Sequence, residues 1–354
     1  LKTVEVYIPG KIMLAGEYAV LRGGHSLAAT VSCGMTVEAS WDPKAASWSI
    51  ESDIWSEPRV VADDHTPQTD ILCRAVQFAA RKTSLHGGTL RVSSEIAIKD
   101  GIGSSSALRL GVCAAFLALR DHLNPSLSQE AAQSAWQLQC EGQGVASGYD
   151  IICQQQGGLV EFSFEYENNK WKPRWFKHDL EASNQIVHIF TGGNGAPTTP
   201  TIQTTSSWLE GANRFERLID ASETLVDMLN QAIKWPDAIS LRRLYAACGT
   251  VRQLFAGNPT FPTAVAERLA EVPGMDSDWS WKTTGAGGED AIILLGTNLQ
   301  ISAAAQALES LGWHKAAFHL ANVGMMIKIQ DNSETPGREP STRSSRSAMR
   351  EFLG

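Results

Sequence analysis

The chain has 354 residues, of which 43% are hydrophobic and 19% charged, enough apolar sequence for a sizeable core and too long for one minimal domain. Its formal net charge of −8 argues against a nucleic-acid binder, because a phosphate backbone attracts a basic face. The 6 cysteines form no CxxC pair and adjoin no histidine cluster, so neither a zinc site nor a disulfide framework is expected.

Residues 3–8 alternate polar and apolar, as a half-buried strand does. Pro9-Gly10 interrupts them, and Ile12–Ala15 reads as a buried strand. Val31–Ala39 and Leu90–Ile98 read as further strands. Between them a helix covers Asp70–Lys82, with Ile71, Ala75, Phe78 and Ala79 on its apolar face. From Ser104 the apolar residues Leu108, Val112, Ala115, Phe116 and Leu119 recur at helical steps. Another helix runs from Ser128, its N-cap, to Cys140, and Gly157-Gly158 leads into a strand over Leu159–Phe164. The polar stretch Glu165–Pro173 reads as a turn and is taken as a domain boundary, dividing residues 1–170 from 171–331. Beyond it come a strand at Ile186–Phe190, a loop at Gly192–Thr201, and helices over Phe215–Ile233, Ser240–Phe255 and Thr263–Val272. A strand at Ala291–Leu295, a helix at Gln300–Leu311 and a strand at Gly324–Ile329 follow. Residues 332–354, rich in Ser, Arg, Pro and Glu, are expected to form a disordered tail. Strands and helices without strict alternation indicate an α+β fold. No apolar h-region opens the chain and no apolar run approaches bilayer length, so the expectation is a soluble cytoplasmic protein with no membrane partner.

Four stretches carry chemistry. In Asp100-Gly101-Ile102-Gly103-Ser104-Ser105-Ser106-Ala107, a predicted strand gives way to a predicted helix. Glycines admit a ligand close to the backbone, and a helix N-terminus presents free N–H groups to phosphate. The same residues would also serve as a capped Gly/Ser turn. Neither a P-loop nor GxGxxG is present, and protein-kinase signatures are absent. Lys282-Thr283-Thr284-Gly285-Ala286-Gly287-Gly288-Glu289-Asp290 is either a tight turn or a second loop approaching a phosphate-bearing ligand. In the segment from Pro9 to Val20, Lys11 lies in apolar sequence. It either reaches to water along its stem or stabilises charge at a phosphoryl-transfer site. In Gly144–Ile151, Asp150 is either a helix N-cap or a catalytic carboxylate.

Taken together and in this order, the PGK…GE segment, the G-x-G-S-S-[SA] loop, the S-G-x-D segment and the late G-A-G-G loop resemble the GHMP kinase family. The resemblance implies an ATP-dependent small-molecule kinase of two-domain α+β architecture. An S5-like N-terminal domain and a ferredoxin-like C-terminal domain would hold ATP in the cleft between them. It implies that Gly101, Gly103, Ser104, Ser105, Ser106 and Ala107 wrap the ATP phosphates, with Ser105 a Mg²⁺ ligand and Glu141 the nearest acidic one. It implies Asp150 as the catalytic carboxylate beside Lys11, and Glu17, Tyr18, Ser147, Gly148, Lys282, Gly285, Gly287 and Gly288 around the substrate. Within the family, Tyr18, the run Ser147–Ile151, Lys282 and Asp290 are most similar to phosphomevalonate kinases, with mevalonate kinases next. Thr191–Thr199 resembles a T-G-x-P-A-[ST]-T segment of that group imperfectly, and Asp100 and Glu289 depart from the family pattern. A phosphorylated acceptor would need extra cations, for which Lys11, Lys282, Arg22 and Lys99 are the candidates.

Overall fold

Alternation along Thr3–Ile8 puts Val4, Val6 and Ile8 on a fully buried face, and the strand they begin is the longest-range organiser of the molecule. The computed structural model describes residues 2–62, 68–97, 100–167, 170–180, 183–193, 198–211 and 213–331. In chain order its elements are β1 (Lys2–Ala15), β2 (Ser26–Trp41), β3 (Ser47–Ser52), β4 (Arg59–Ala62), α1 (Ile71–Thr83), β5 (Gly88–Ser94), α2 (Ser104–Asp121), α3 (Leu127–Gln143), α4 (Tyr149–Gln156), β6 (Leu159–Glu167) and β7 (Lys170–His178). They continue with α5 (Ser183–Ile186), β8 (Val187–Thr191), α6 (Thr198–Leu209), α7 (Arg214–Lys234), α8 (Ala238–Phe255), α9 (Thr263–Ala270), β9 (Ser280–Thr283), β10 (Ile292–Leu295), α10 (Ser302–Ser310), β11 (His314–Lys315) and β12 (Met326–Asp331).

The described residues form two sheets. The larger runs β12-β1-β2-β5-β3-β4, and the β6–β7 hairpin joins it through β2; the smaller, of 4 strands, runs β11-β8-β10-β9. Every pairing is antiparallel except β3 with β5. Helix α2 is buried on nearly all sides from Ser106 to Leu119, which suits its almost continuous apolar sequence. The small sheet is covered on both faces. Ile293 and Leu295 face the main core, while Ile292 and Leu294 pack with Trp279, Trp281 and Trp313 in a second cluster.

The mixed α+β class is the one expected from sequence, but several boundaries differ. Pro9-Gly10 does not end a strand: β1 continues through a register shift between Pro9 and Lys11, so the bulge absorbs the irregularity. Within Glu165–Pro173 the described residues are strand: Glu165–Glu167 close β6 and Lys170–Pro173 open β7. Glu165, Tyr166 and Glu167 pair with Lys172, Trp171 and Lys170, and Trp171 is buried. The 170/171 division therefore falls within β7, and β12, near the far end of the chain, pairs with β1 in the first sheet. The helix expected from Ser128 begins at Leu127 instead, and Ser128 Oγ accepts from Gln155 Nε2 at 2.8 Å. The end of the strand expected at Ile98, Lys99, Asn194–Pro197 and the tail 332–354 lie outside the described residues.

Candidate functional site

A cavity of about 530 Å³ opens where β1, the N-terminus of α2, α4 and the loop after β9 meet. The bulge in β1 turns Lys11 inward. Its N–H donates to Ile102 O at 2.8 Å, and its ammonium lies 3.4 Å from Gly101 O and 5.3 Å from the Tyr149 ring centroid. The loop before α2 needs both glycines. Gly103 has φ +83° and a Cβ there would lie 2.9 Å from Lys11 Cε; Gly101 has φ +65° and its Cβ would meet Asp290 Cβ at 2.6 Å. Ser104, Ser105 and Ser106 line the cavity at the first turn of α2, where backbone N–H groups have no intrahelical acceptor.

Asp150 is the second residue of α4. The N-cap is Gly148, so the capping alternative does not hold. Its carboxylate lines the cavity, accepting from Gln139 Nε2 at 3.1 Å and from Ile151 N–H at 3.0 Å. Below the preceding loop Trp136 and Trp171 stack with centroids 5.1 Å apart. Each indole donates at 2.9 Å, Trp136 to Ala146 O and Trp171 to Ser147 O. Gly148 has φ +81°, and a side chain there would run into both rings.

From the other sheet, the loop after β9 is fastened to the end of β1. Thr284 Oγ1 accepts from Met13 N–H at 3.1 Å and donates to Met13 O at 2.8 Å, and Tyr18 Oη donates to Ala286 O at 2.6 Å. Lys282 and Glu17 form an ion pair with both side chains 4% exposed. Lys282 lines neither this cavity nor the small recess beside it, where Glu17, Gly287 and Gly288 are found. Ser147, Tyr18 and Gly285 do line the cavity. Glu141 does not; it points to another cavity beside Arg74, while Gln139 and Gln143 of the same helix reach the first.

Residues 70–158, which contain the Gly-Ser loop and Asp150, match the family model for the GHMP kinases N terminal domain. Over those residues the chain carries a GHMP kinase N-terminal domain. It is thereby an ATP-dependent phosphotransferase. It is 25% identical over 290 residues to a mevalonate kinase of Archaeoglobus fulgidus, covering 80% of this chain and 89% of that protein. The fold is similar to that of a Listeria innocua protein, Lin0012, with a TM-score of 0.73, 17% identity, and 93% and 100% of the two chains covered. It is also similar to the phosphomevalonate kinase of Streptococcus pneumoniae, solved with phosphomevalonate and AMPPNP, with a TM-score of 0.68, 19% identity, and 90% and 99% covered. Among the described residues no helix is long and apolar enough to cross a membrane.

The kinase's cleft is electrostatically polarised. Burial works against the Lys11 ammonium, yet Tyr149 and Asp150 beside it more than offset that, and its pKa is raised above the ordinary lysine value. Burial pushes the Tyr149 phenol up to about 12, so it stays neutral. Sequence reasoning did not single out Gln139, Arg109, Trp136 or Trp171. Gln139 stands 11 residues before Asp150 on a separate helix, and no local pattern links them. Arg109 left a signal, a lone cation within the apolar run of α2, one turn after Ser105, to whose Oγ and carbonyl it donates.

Proposed function

We propose that this kinase transfers the γ-phosphoryl group of ATP to a small alcohol of the mevalonate pathway, with mevalonate the first acceptor to test. The observation that carries the reading is the charge inventory of the cleft. Among its described lining residues Lys11 is the one cation, set against Asp150 and Asp290. A phosphate-monoester acceptor arrives largely as a dianion and needs further cations beside the ATP phosphates. Two of the further cations considered for that task, Lys282 and Arg22, are engaged elsewhere. Lys282 is paired with Glu17, and Arg22 is paired with Glu210 and stacked over Phe215; Lys99 is outside the described residues. The second reading, phosphorylation of 5-phosphomevalonate, is favoured by Tyr18, by Tyr149 in the S-G-Y-D-I run and by the likeness to the Streptococcus enzyme.

In this mechanism the amides and hydroxyls at Ser104–Ser106 hold the phosphates, and the flanking glycines let the backbone approach them. Lys11 neutralises charge on the migrating group. Asp150, oriented by Gln139 and the Ile151 amide, accepts or aligns the acceptor's hydroxyl proton. Among the described residues no cluster of His, Cys, Asp and Glu could hold a metal alone. The cleft's oxygen donors nevertheless fit Mg²⁺ accompanying a nucleotide, and Ser105 Oγ and the Asp150 carboxylate are the groups that would hold it. The ion would supply neutralisation of phosphate charge. The substrate roles assigned to Ser147, Tyr18 and Gly285 rest on their place in the lining. Those of Glu17 and Lys282 become roles in holding the two sheets together.

The test is ADP release with Mg²⁺-ATP and either mevalonate or 5-phosphomevalonate. Turnover with mevalonate alone supports the proposal. Turnover with the phosphorylated acceptor alone refutes the charge argument and leaves the second reading. Turnover with neither removes the pathway assignment.

A further inference from the structure

Outside the cleft, two guanidinium groups converge on one point of α3. A Cβ placed on Gly142 would lie 3.6 Å from Arg109 Nη2 and 3.9 Å from Arg74 Nη1. Among the described residues neither arginine has an ion pair. Arg109 donates to Ser105, and the carboxylate whose field reaches it, Asp150, is already bonded to Gln139 and the Ile151 amide. Arg109 is 6% exposed, and the nearby Arg74 adds like-charge repulsion. Two facing cations, one of them buried, are an unfavourable arrangement for an empty protein and a favourable one once an anion lies between them.

The point adjoins a cavity of about 630 Å³ between α1 and α3. Arg74 and Lys82 line it, with Glu141 the described carboxylate there. Phe78 and Leu138 give it an apolar wall, and Gln77 and Gln137 add neutral amides. That volume is far larger than an inorganic oxyanion requires, so the wall calls for an organic body behind the charged head. The lining differs from that of the nucleotide cleft, and α3 separates the two, presenting Gln137, Leu138 and Glu141 to one and Gln139 and Gln143 to the other.

We propose that Arg74 and Arg109, with the cavity between α1 and α3, form a second site that binds a small organic phosphate. Occupancy would draw on the guanidinium that also holds Ser105, and so would be felt at the phosphate loop.

The probe is phenyl phosphate, titrated calorimetrically into the full chain saturated with Mg²⁺ and a non-hydrolysable ATP analogue. One equivalent should bind, inorganic phosphate should compete for the shared head, and Arg74→Gln should weaken binding by about tenfold or more, the loss of one charge-assisted contact. Arg74→Lys should restore most of the affinity, and both variants should bind the nucleotide analogue as the parent does. Absence of binding, indifference to phosphate, or binding that survives Arg74→Gln unchanged overturns the proposal. Nucleotide affinity is measured in the same protein, so failure here is distinguishable from failure of the kinase reading.

Discussion

Glu17 and Lys282 join the end of β1 to β9 of the other sheet, and each side chain is 4% exposed. Replacing Glu17 by Gln strands an ammonium in the interior, where its remaining bond is to Thr283 O at 2.6 Å. Replacing Lys282 by Met strands a carboxylate whose Oε2 already has no hydrogen-bond partner. Breaking a buried pair from one side costs about 3–5 kcal/mol, whereas removing both charges in favour of apolar side chains is often neutral or better. Each single variant should therefore lose about 3–5 kcal/mol in urea unfolding, while Glu17→Leu/Lys282→Met should lose less than about 2 kcal/mol, a large positive coupling. Acceptor KM, measured in parallel, should follow stability and not lead it. Single variants that lose less than about 1 kcal/mol while KM for the acceptor rises tenfold would refute the structural role and return both residues to the substrate.

Asp150→Asn should lower kcat by about 10²–10⁴-fold with ATP affinity nearly unchanged, as read by nucleotide titration; retained turnover would remove Asp150 from the chemistry. Gly103→Ala, at φ +83° and against Lys11 Cε, should cost about 1–2 kcal/mol in backbone strain alone and weaken ATP binding, checked by unfolding and by KM for ATP. Because the Lys11 pKa is raised, its charge and the stability linked to it are fully present below the ordinary lysine value of 10.5 and are lost only as pH rises beyond that. The alkaline fall of kcat attributable to Lys11 should lie above that value in a pH–rate profile, and a fall near neutral pH would contradict the assignment. Burial pushes the Cys113 and Cys153 thiols up to about 12, so alkylation at pH 8 should spare both until the protein is unfolded, which peptide mapping would check.

Much of the fold was legible where a segment's own periodicity decides its state. Helix α2 and the cores of β1, β6, β8 and β10 follow directly from apolar spacing, and the Gly-Ser loop announced its place before a helix. The β3–β4 hairpin and β9 were not foreseen. Each of these strands is short, and their pairing partners supply what their sequences lack.

By itself, the sequence determined which residue types stand at the phosphate loop, at Lys11 and at Asp150, because glycine conformations and helix starts are local matters. Only the tertiary structure decided which charges remain for a ligand. It spends Lys282 on Glu17, turns Glu141 away from the cleft beside Gln139, and brings Gln139 to Asp150 and Arg109 to Arg74. The reason is physical: the state and availability of a charge depend on burial and on partners distant in the chain, and neither is written in local spacing.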